Sequence, residues 1–195
     1  PNTQGTRTVY VQFKDAAGNE TSGSTYDSII LDSVAPTNPS ITIDAGATYT
    51  NSLGVTLTLS AGGASYMRFK NDGGNWSGYQ SYATSKTWSL SNTQGTRTVY
   101  VQFKDVAGNE TSGSTYDSII LDSAAPTSPS ISINGGATYA TSTGVTLSLS
   151  AGGARHMRFK NDGGSWSGYQ SYTTIPYTHL NLPPRRRMCI SYFFF

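Results

Sequence analysis

The sequence predicts an all-β fold, a tandem series of two-layer antiparallel β-sandwiches. Three observations predict it. A segment recurs at an offset of 90, with positions 2–84 and 92–174 identical at 69 of 83 places. Within each copy, short runs alternate apolar and polar residues with the period of two that marks a half-buried strand. Between the runs stand clusters of Gly, Asn, Asp and Ala of the kind that close tight turns. The composition agrees: 36% apolar and 12% charged residues, against about 45–50% and about 25% in ordinary globular domains. Ser, Thr, Gly and Tyr take up the difference. Thr and Tyr suit a pleated surface, and Gly supplies turn geometry.

A 90-residue repeat exceeds the ~20–50 residues of a solenoid unit and approaches the ~100 of one sandwich domain. The segments Asp32–Pro39 (DSVAPTNP) and Asp122–Pro129 (DSAAPTSP) carry two prolines each. Proline has no N–H and keeps its neighbours extended, so these are the natural linkers. Residues 34–125 then form one complete unit. Residues 1–33 are the closing strands of a preceding unit, and 126–174 the first half of a following one.

Within the complete unit the strands follow in order. Ile41 and Ile43 alternate in the first. Val55, Leu57 and Leu59 alternate with Thr56, Thr58 and Ser60 in the second. Met67 and Phe69 alternate with Tyr66, Arg68 and Lys70 in the third, and Gln80–Tyr82 offers a short extra strand. Trp88 and Leu90 mark the next, with both side chains turned to the core. Val99, Val101 and Phe103 alternate with Tyr100, Gln102 and Lys104, and Ile119 and Leu121 close the unit. Asp44–Gly46, Ala61–Gly63, Asn71–Gly74 and Ala107–Asn109 are the turns. About seven short antiparallel strands make a two-sheet sandwich. No cysteine pair joins the sheets, so apolar burial alone must hold them.

The run Val99–Asn109 (VYVQFKDVAGN), its counterpart Val9–Asn19, the Ala35–Thr37 linker, the Val55–Ser60 strand and the run Met67–Trp76 (MRFKNDGGNW) form a set. Over residues 2–174 that set resembles the immunoglobulin-like and fibronectin type III-like repeats of large bacterial and archaeal surface proteins. The resemblance implies a secreted or cell-surface stalk, placed beside an adhesive or catalytic domain, whose partners are its neighbouring repeat units. It implies no single ligand. Some related adhesin repeats bind calcium at domain junctions.

Charge excludes one class of partner. Residues 1–174 hold ten Lys and Arg against eleven Asp and Glu, one net negative charge, so the formal +2 of the chain comes from Arg185, Arg186 and Arg187. Nucleic-acid binding needs a basic stripe that the repeats lack. Cys189 is the single cysteine, which excludes a disulfide framework and a cysteine zinc site. No stretch approaches the ~20 apolar residues of a membrane span. The chain opens on Pro1 in mid-pattern, which points to a fragment, so a missing export signal carries no information about export.

After Thr174 the repeat stops. Residues 175–195 bring prolines, the Arg triplet, the cysteine and Phe193–Phe195 together. Codons for Met188–Ile190, read in another frame, give Val followed by Tyr or His, and Val-Tyr is what the repeat would place at 189–190. A frameshift is the expectation, to be checked in the nucleotides. A basic membrane-binding tail is the rival.

Three chemistries come up for weighing. Catalysis finds no support: residues 36–125 contain no His and no Cys, so no Ser-His-Asp or Cys-His arrangement can form there. The acidic residues fall in turns and at strand ends, where Asp normally satisfies backbone groups, and the chain is expected not to be an enzyme and to carry no cofactor. Structural calcium, which takes six to eight oxygens, would draw on Asp105, Asn109, Asp122 and Asn134 at a junction. Against this, Asp105 caps its own turn, with Asn109 left-handed beside Gly108. Glycan binding would use Trp76, Tyr79 and Tyr82 as stacking faces; against this, large aromatics usually cover core ends and strand edges. Three Asn-x-Ser/Thr triplets at Asn19, Asn75 and Asn109 fit the glycosylation pattern and arise readily by chance in such a composition.

The expectation is a structural spacer, extracellular or on the cell surface. The alternative is a binding module for glycans, other surface ligands or calcium. Residues 1–33 and 126–174 leave sheet edges uncovered at opposite poles of the complete unit, so association between chains is expected to rise with concentration.

Overall fold

A computed structural model describes residues 4–173 and 177–181. Fifteen strands follow one another: β1 Gly5–Val11, β2 Thr25–Leu31, β3 Thr37–Ile43, β4 Tyr49–Thr50, β5 Gly54–Gly62, β6 Tyr66–Asn71, β7 Gln80–Ser81, β8 Ser85–Ser89, β9 Gly95–Lys104, β10 Thr115–Leu121, β11 Thr127–Ile133, β12 Gly144–Gly152, β13 His156–Met157, β14 Gln170–Ser171 and β15 Tyr177–Asn181. Among the described residues the only helical pieces are two three-residue 3-10 turns, Asp44–Gly46 and Asn134–Gly136. The chain divides into two compact units at Ser123/Ala124, inside the second proline linker.

In the first unit, β3, β5 and β8 form one sheet, and β4, β10, β9, β6 and β7, in that order, form another. The alternation read from the sequence decides what lies between them. Every second residue of β5 is buried, and β9 buries Val99, Val101 and Phe103. These join Ile41, Ile43, Met67, Phe69, Leu90 and Ile119 in one core drawn from both sheets. Trp88 lies half-buried beside it, its ring 5.3 Å from that of Phe69. The indole N–H donates to Asn71 Oδ1 at 2.8 Å, so its polar handle is satisfied. Fully burying each aliphatic or Phe side chain of this core stabilises by about 1.5–3 kcal/mol.

Two features differ from expectation. β4 adds a strand to the expected seven, and it pairs parallel with β10, Tyr49 opposite Ile120 and Thr50 opposite Leu121. The turn before it carries the chain from one sheet to the other: Asp44, Ala45 and Gly46 all have positive φ, at 44°, 54° and 84°. Asp44 Oδ1 accepts the Thr56 N–H at 2.8 Å and fixes that turn to β5. The β3–β5 ladder is also interrupted between Thr37 and Ser40. Pro39 has no N–H to give, and Asn38 takes a φ of 49° to pass it.

Ahead of these sheets, β1 and β2 pair as a separate two-stranded hairpin. Its far end touches the complete sandwich, where Asn109 Nδ2 donates to the Asp32 carbonyl at 3.1 Å.

In the second unit, β11, β12 and β15 form a three-stranded sheet, and β13 pairs with β14. β15 lies in the divergent segment, yet it adds to β12 as β8 adds to β5. Gly144 faces Asn181 and Val145 faces Leu180, two residues later than the 90-residue offset would place them, with an irregularity before Leu147. Of the divergent segment, residues 175–176 and 182–195 lie outside the described residues, and the Arg triplet, Cys189 and the frameshift expectation lie there with them.

Candidate functional site

The richest array of side chains lies on the outer face of the five-stranded sheet. Alternation along β6 and β9 turns Met67, Phe69, Val101 and Phe103 inward, which leaves Arg68, Lys70, Tyr100, Gln102 and Lys104 outward. The loop after β6 runs back along that strand because Ser77 pairs with Phe69 in both directions: its N–H donates to the Phe69 carbonyl at 2.8 Å, and its hydroxyl accepts the Phe69 N–H at 3.0 Å. This brings Trp76 and Tyr79 over the cations.

The Arg68 guanidinium lies 5.2 Å from the Trp76 ring centre and 4.6 Å from that of Tyr79. Lys104 Nζ approaches the Tyr79 ring to 3.9 Å, and Lys70 Nζ the Trp76 ring to 5.1 Å. Arg68 is itself held by Gln102 Oε1, at 3.0 Å from Nε and 2.6 Å from Nη2, and by Glu110 at 3.4 Å. Each cation–ring contact is worth about 0.5–1 kcal/mol at an exposed site. Burial, with the Glu110 carboxylate adding to it, pushes the Tyr79 hydroxyl up to about 12. That hydroxyl makes no hydrogen bond of good geometry even so. Tyr79 therefore stays a neutral phenol at physiological pH.

The three aromatics singled out for glycan stacking do not form one platform. Trp76 and Tyr79 are half-buried beneath the cation row. Tyr82 faces the core: its ring meets Phe103 edge-on at 5.9 Å, and its hydroxyl accepts the Ala61 N–H at 3.3 Å. Outward alternation was the only sign in the sequence that Arg68, Lys70 and Lys104 could meet these rings.

Of the four oxygen-bearing residues considered for calcium, Asp105 and Asn109 bond each other, Asp122 lies at the other end of β10, and Asn134 belongs to the second unit. Asp105 is spent on its turn: Oδ1 accepts the Asn109 N–H and Oδ2 the Asn109 side-chain amide, both at 2.8 Å. The Asn109 amide chiefly, with backbone N–H groups of the turn, holds the Asp105 carboxyl below its ordinary value. The left-handed residue of the turn is Gly108, at φ 97°, rather than Asn109. Asp122 follows β10, and Asp105 precedes it. Since Leu121 faces Gly95 and Thr115 faces Val101, the two carboxylates flank a strand of roughly 20 Å, too far for one ion. Asn134 belongs to the second unit, where its Oδ1 accepts the Thr146 N–H at 2.8 Å. Among the described residues, no three His, Cys, Asp or Glu side chains gather in one place. Of the glycosylation triplets, Asn109 is engaged as above, and Asn19 repeats that engagement with Asp15 at 2.8 Å. Asn75 stands exposed.

No protein-family model matches the chain, and no curated protein matches it significantly.

Proposed function

We propose that this chain is part of a stalk, in which an immunoglobulin-like or fibronectin type III-like sandwich of about 90 residues acts as a repeated structural spacer. The stalk belongs to a large secreted or cell-surface protein and holds an adhesive or catalytic domain away from its anchor. Residues 34–125 are its complete unit, with partial units on either side, and its partners are neighbouring units.

One observation carries this reading. The chain comes into the complete unit at Thr37, which faces Gly62 beside the Lys104–Asn109 turn, and leaves after Leu121, which faces Gly95 at the other end of the same ladder. A sandwich that receives the chain at one pole and releases it at the other extends an array with each added copy. The polar groups a ligand would want are instead spent on the fold: Asp105 on its turn, Asp44 on β5, and Arg68 on Gln102 and two rings. On this account the chain performs no catalysis.

Thermal melting of residues 34–125 in calcium and in EDTA tests the proposal. A spacer melts in one transition at the same temperature in both, and a glycan array stays blank. A rise of several degrees in calcium, or glycan capture lost on Trp76→Ala, would replace the spacer by a binding module.

A further inference from the structure

The segment that carries the chain from β2 to β3 is held from both directions. From the hairpin, Gln4 closes a two-way pair with Ser33. Its side-chain amide donates to the Ser33 hydroxyl at 2.7 Å, and its Oε1 accepts the Ser33 N–H at 2.8 Å. The β1–β2 ladder ends with Gly5 facing Leu31, so this pair carries the hold on to Ser33. From the complete unit, Asn109 holds the residue just before it. The Asn109 amide has two protons to give. One goes to Asp105 Oδ2 at 2.8 Å and the other to the Asp32 carbonyl at 3.1 Å. The grip is sheltered, since Asp105 and Thr111 of the same turn are both 5% exposed.

The residues that follow have little freedom. Asp32 Oδ1 accepts the Val34 N–H at 3.1 Å. Pro36 is buried, and its ring fixes its own φ and keeps Ala35 extended. Along the chain, the hold of the hairpin extends through Ser33, and that of the complete unit begins at Asp32. The two overlap, and no residue is left between them to act as a hinge.

Both halves of the arrangement recur. Gln94 pairs with Ser123 as Gln4 does with Ser33, at 2.8 and 2.9 Å. Asn19 is bound to Asp15 as Asn109 is to Asp105, at 2.8 Å in each turn. Each of these two copies therefore carries a glutamine that fixes its exit and an asparagine poised in its turn.

Resting on the reading of residues 1–33 as the close of a preceding unit, we propose that the Asp105–Asn109 turn is the docking point for that unit's exit, and that Asn109 and Gln4 together lock the joint. The partner is a preceding copy that leaves its last strand through Asp-Ser: the turn takes the backbone carbonyl of the first, and the clamp takes the hydroxyl and N–H of the second. Only an amide serves at position 109. A carboxylate there has no proton to give and would face the Asp105 carboxylate. A proline linker alone is a semi-rigid spacer; two grips on adjacent residues remove the freedom it leaves. A stalk joined in this way passes its direction from one unit to the next through its own side chains.

Spin-label distances in the full chain test this. In a Cys189→Ser background, labels on Thr6→Cys and Thr96→Cys mark equivalent exposed positions of the hairpin and the complete unit. Pulsed electron resonance at high dilution, in EDTA, is expected to give one narrow distance distribution. Gln4→Ala and Asn109→Ala should each widen it several-fold, and Asn109→Asp should widen it as much as Asn109→Ala. Gln4 lies outside the complete unit, so Gln4→Ala should leave the melting temperature of that unit where it was, which separates a loosened joint from a loosened fold. The proposal fails if the unsubstituted chain gives a broad distribution, if the distribution narrows only when calcium is added, or if either alanine substitution leaves it unchanged. A broad distribution beside melting that ignores calcium would end the locked joint and leave the spacer reading standing. A narrow one beside calcium-dependent melting would do the reverse.

Discussion

At Asp105 one carboxylate holds the turn that joins β9 to β10. Its folded-state pKa is depressed by the Asn109 amide, so the folded unit binds fewer protons there than the unfolded chain. The contribution is complete above the ordinary carboxylate pKa of about 3.9 and is lost as pH falls through the lower folded value. Urea titrations of residues 34–125 should therefore show Asp105→Asn less stable at neutral pH, with the gap to the parent closing in acid. A gap independent of pH would contradict this. Ala45 offers a second test. It holds a φ of 54°, where a Cβ costs about 1–2 kcal/mol, and the second unit has Gly135 at the same place with φ 66°. Allowing for the freedom glycine adds to the unfolded chain, Ala45→Gly should raise stability by about 0.5–1 kcal/mol, read as a higher urea midpoint. The sequence announced both turns through their Asp and Gly residues. At the Asp105 turn it pointed to Asn109 as the left-handed residue, whereas Gly108 takes that conformation and Asn109 bonds Asp105 and Asp32.

Among the elements, the strands of the core were legible because each buries one face, and a buried face writes a period of two into the chain. β5, β6 and β9 show it plainly. β4 was not legible: two residues carry no period, and its pairing with β10 depends on a partner some seventy positions away. The same limit applied to the aromatics. Trp76 and Tyr79 sit in a loop with no apolar–polar alternation, and what they touch is decided by Arg68 and Lys104 on two different strands. Surroundings, more than local sequence, set the worth of a strand here. Phe103→Ala should destabilise the complete unit by about 3–5 kcal/mol. Phe13→Ala, made in the same local sequence on the uncovered hairpin, should leave that melting transition unmoved. Equal losses would show that the hairpin shares the core.

For the molecule as a whole, the described residues of the two copies differ in burial more than in sequence. The first unit closes two sheets around one core; the second carries nearly the same letters through Tyr172 and leaves Ile131 and Ile133 exposed. On the proposed stalk reading, function depends on how well each unit closes, because closure keeps the two poles apart and the linkers between them. The repeat length is legible as 69 identities at an offset of 90, and the second proline linker coincides with the division at Ser123/Ala124. What they could not show was that a divergent segment, Tyr177–Asn181, would still pair with β12, since any extended segment can satisfy a strand edge. Hydrogen exchange on the full chain at high dilution puts the central claim to its most direct test. The amides of Thr96–Val101 and of Thr6–Val11 lie in identical peptides, both in two-stranded register with their hairpin partner. If two-sheet closure is what stabilises the repeat, the first set exchanges only on unfolding of the complete unit and the second exchanges orders of magnitude faster. Equal protection of the two would contradict the account.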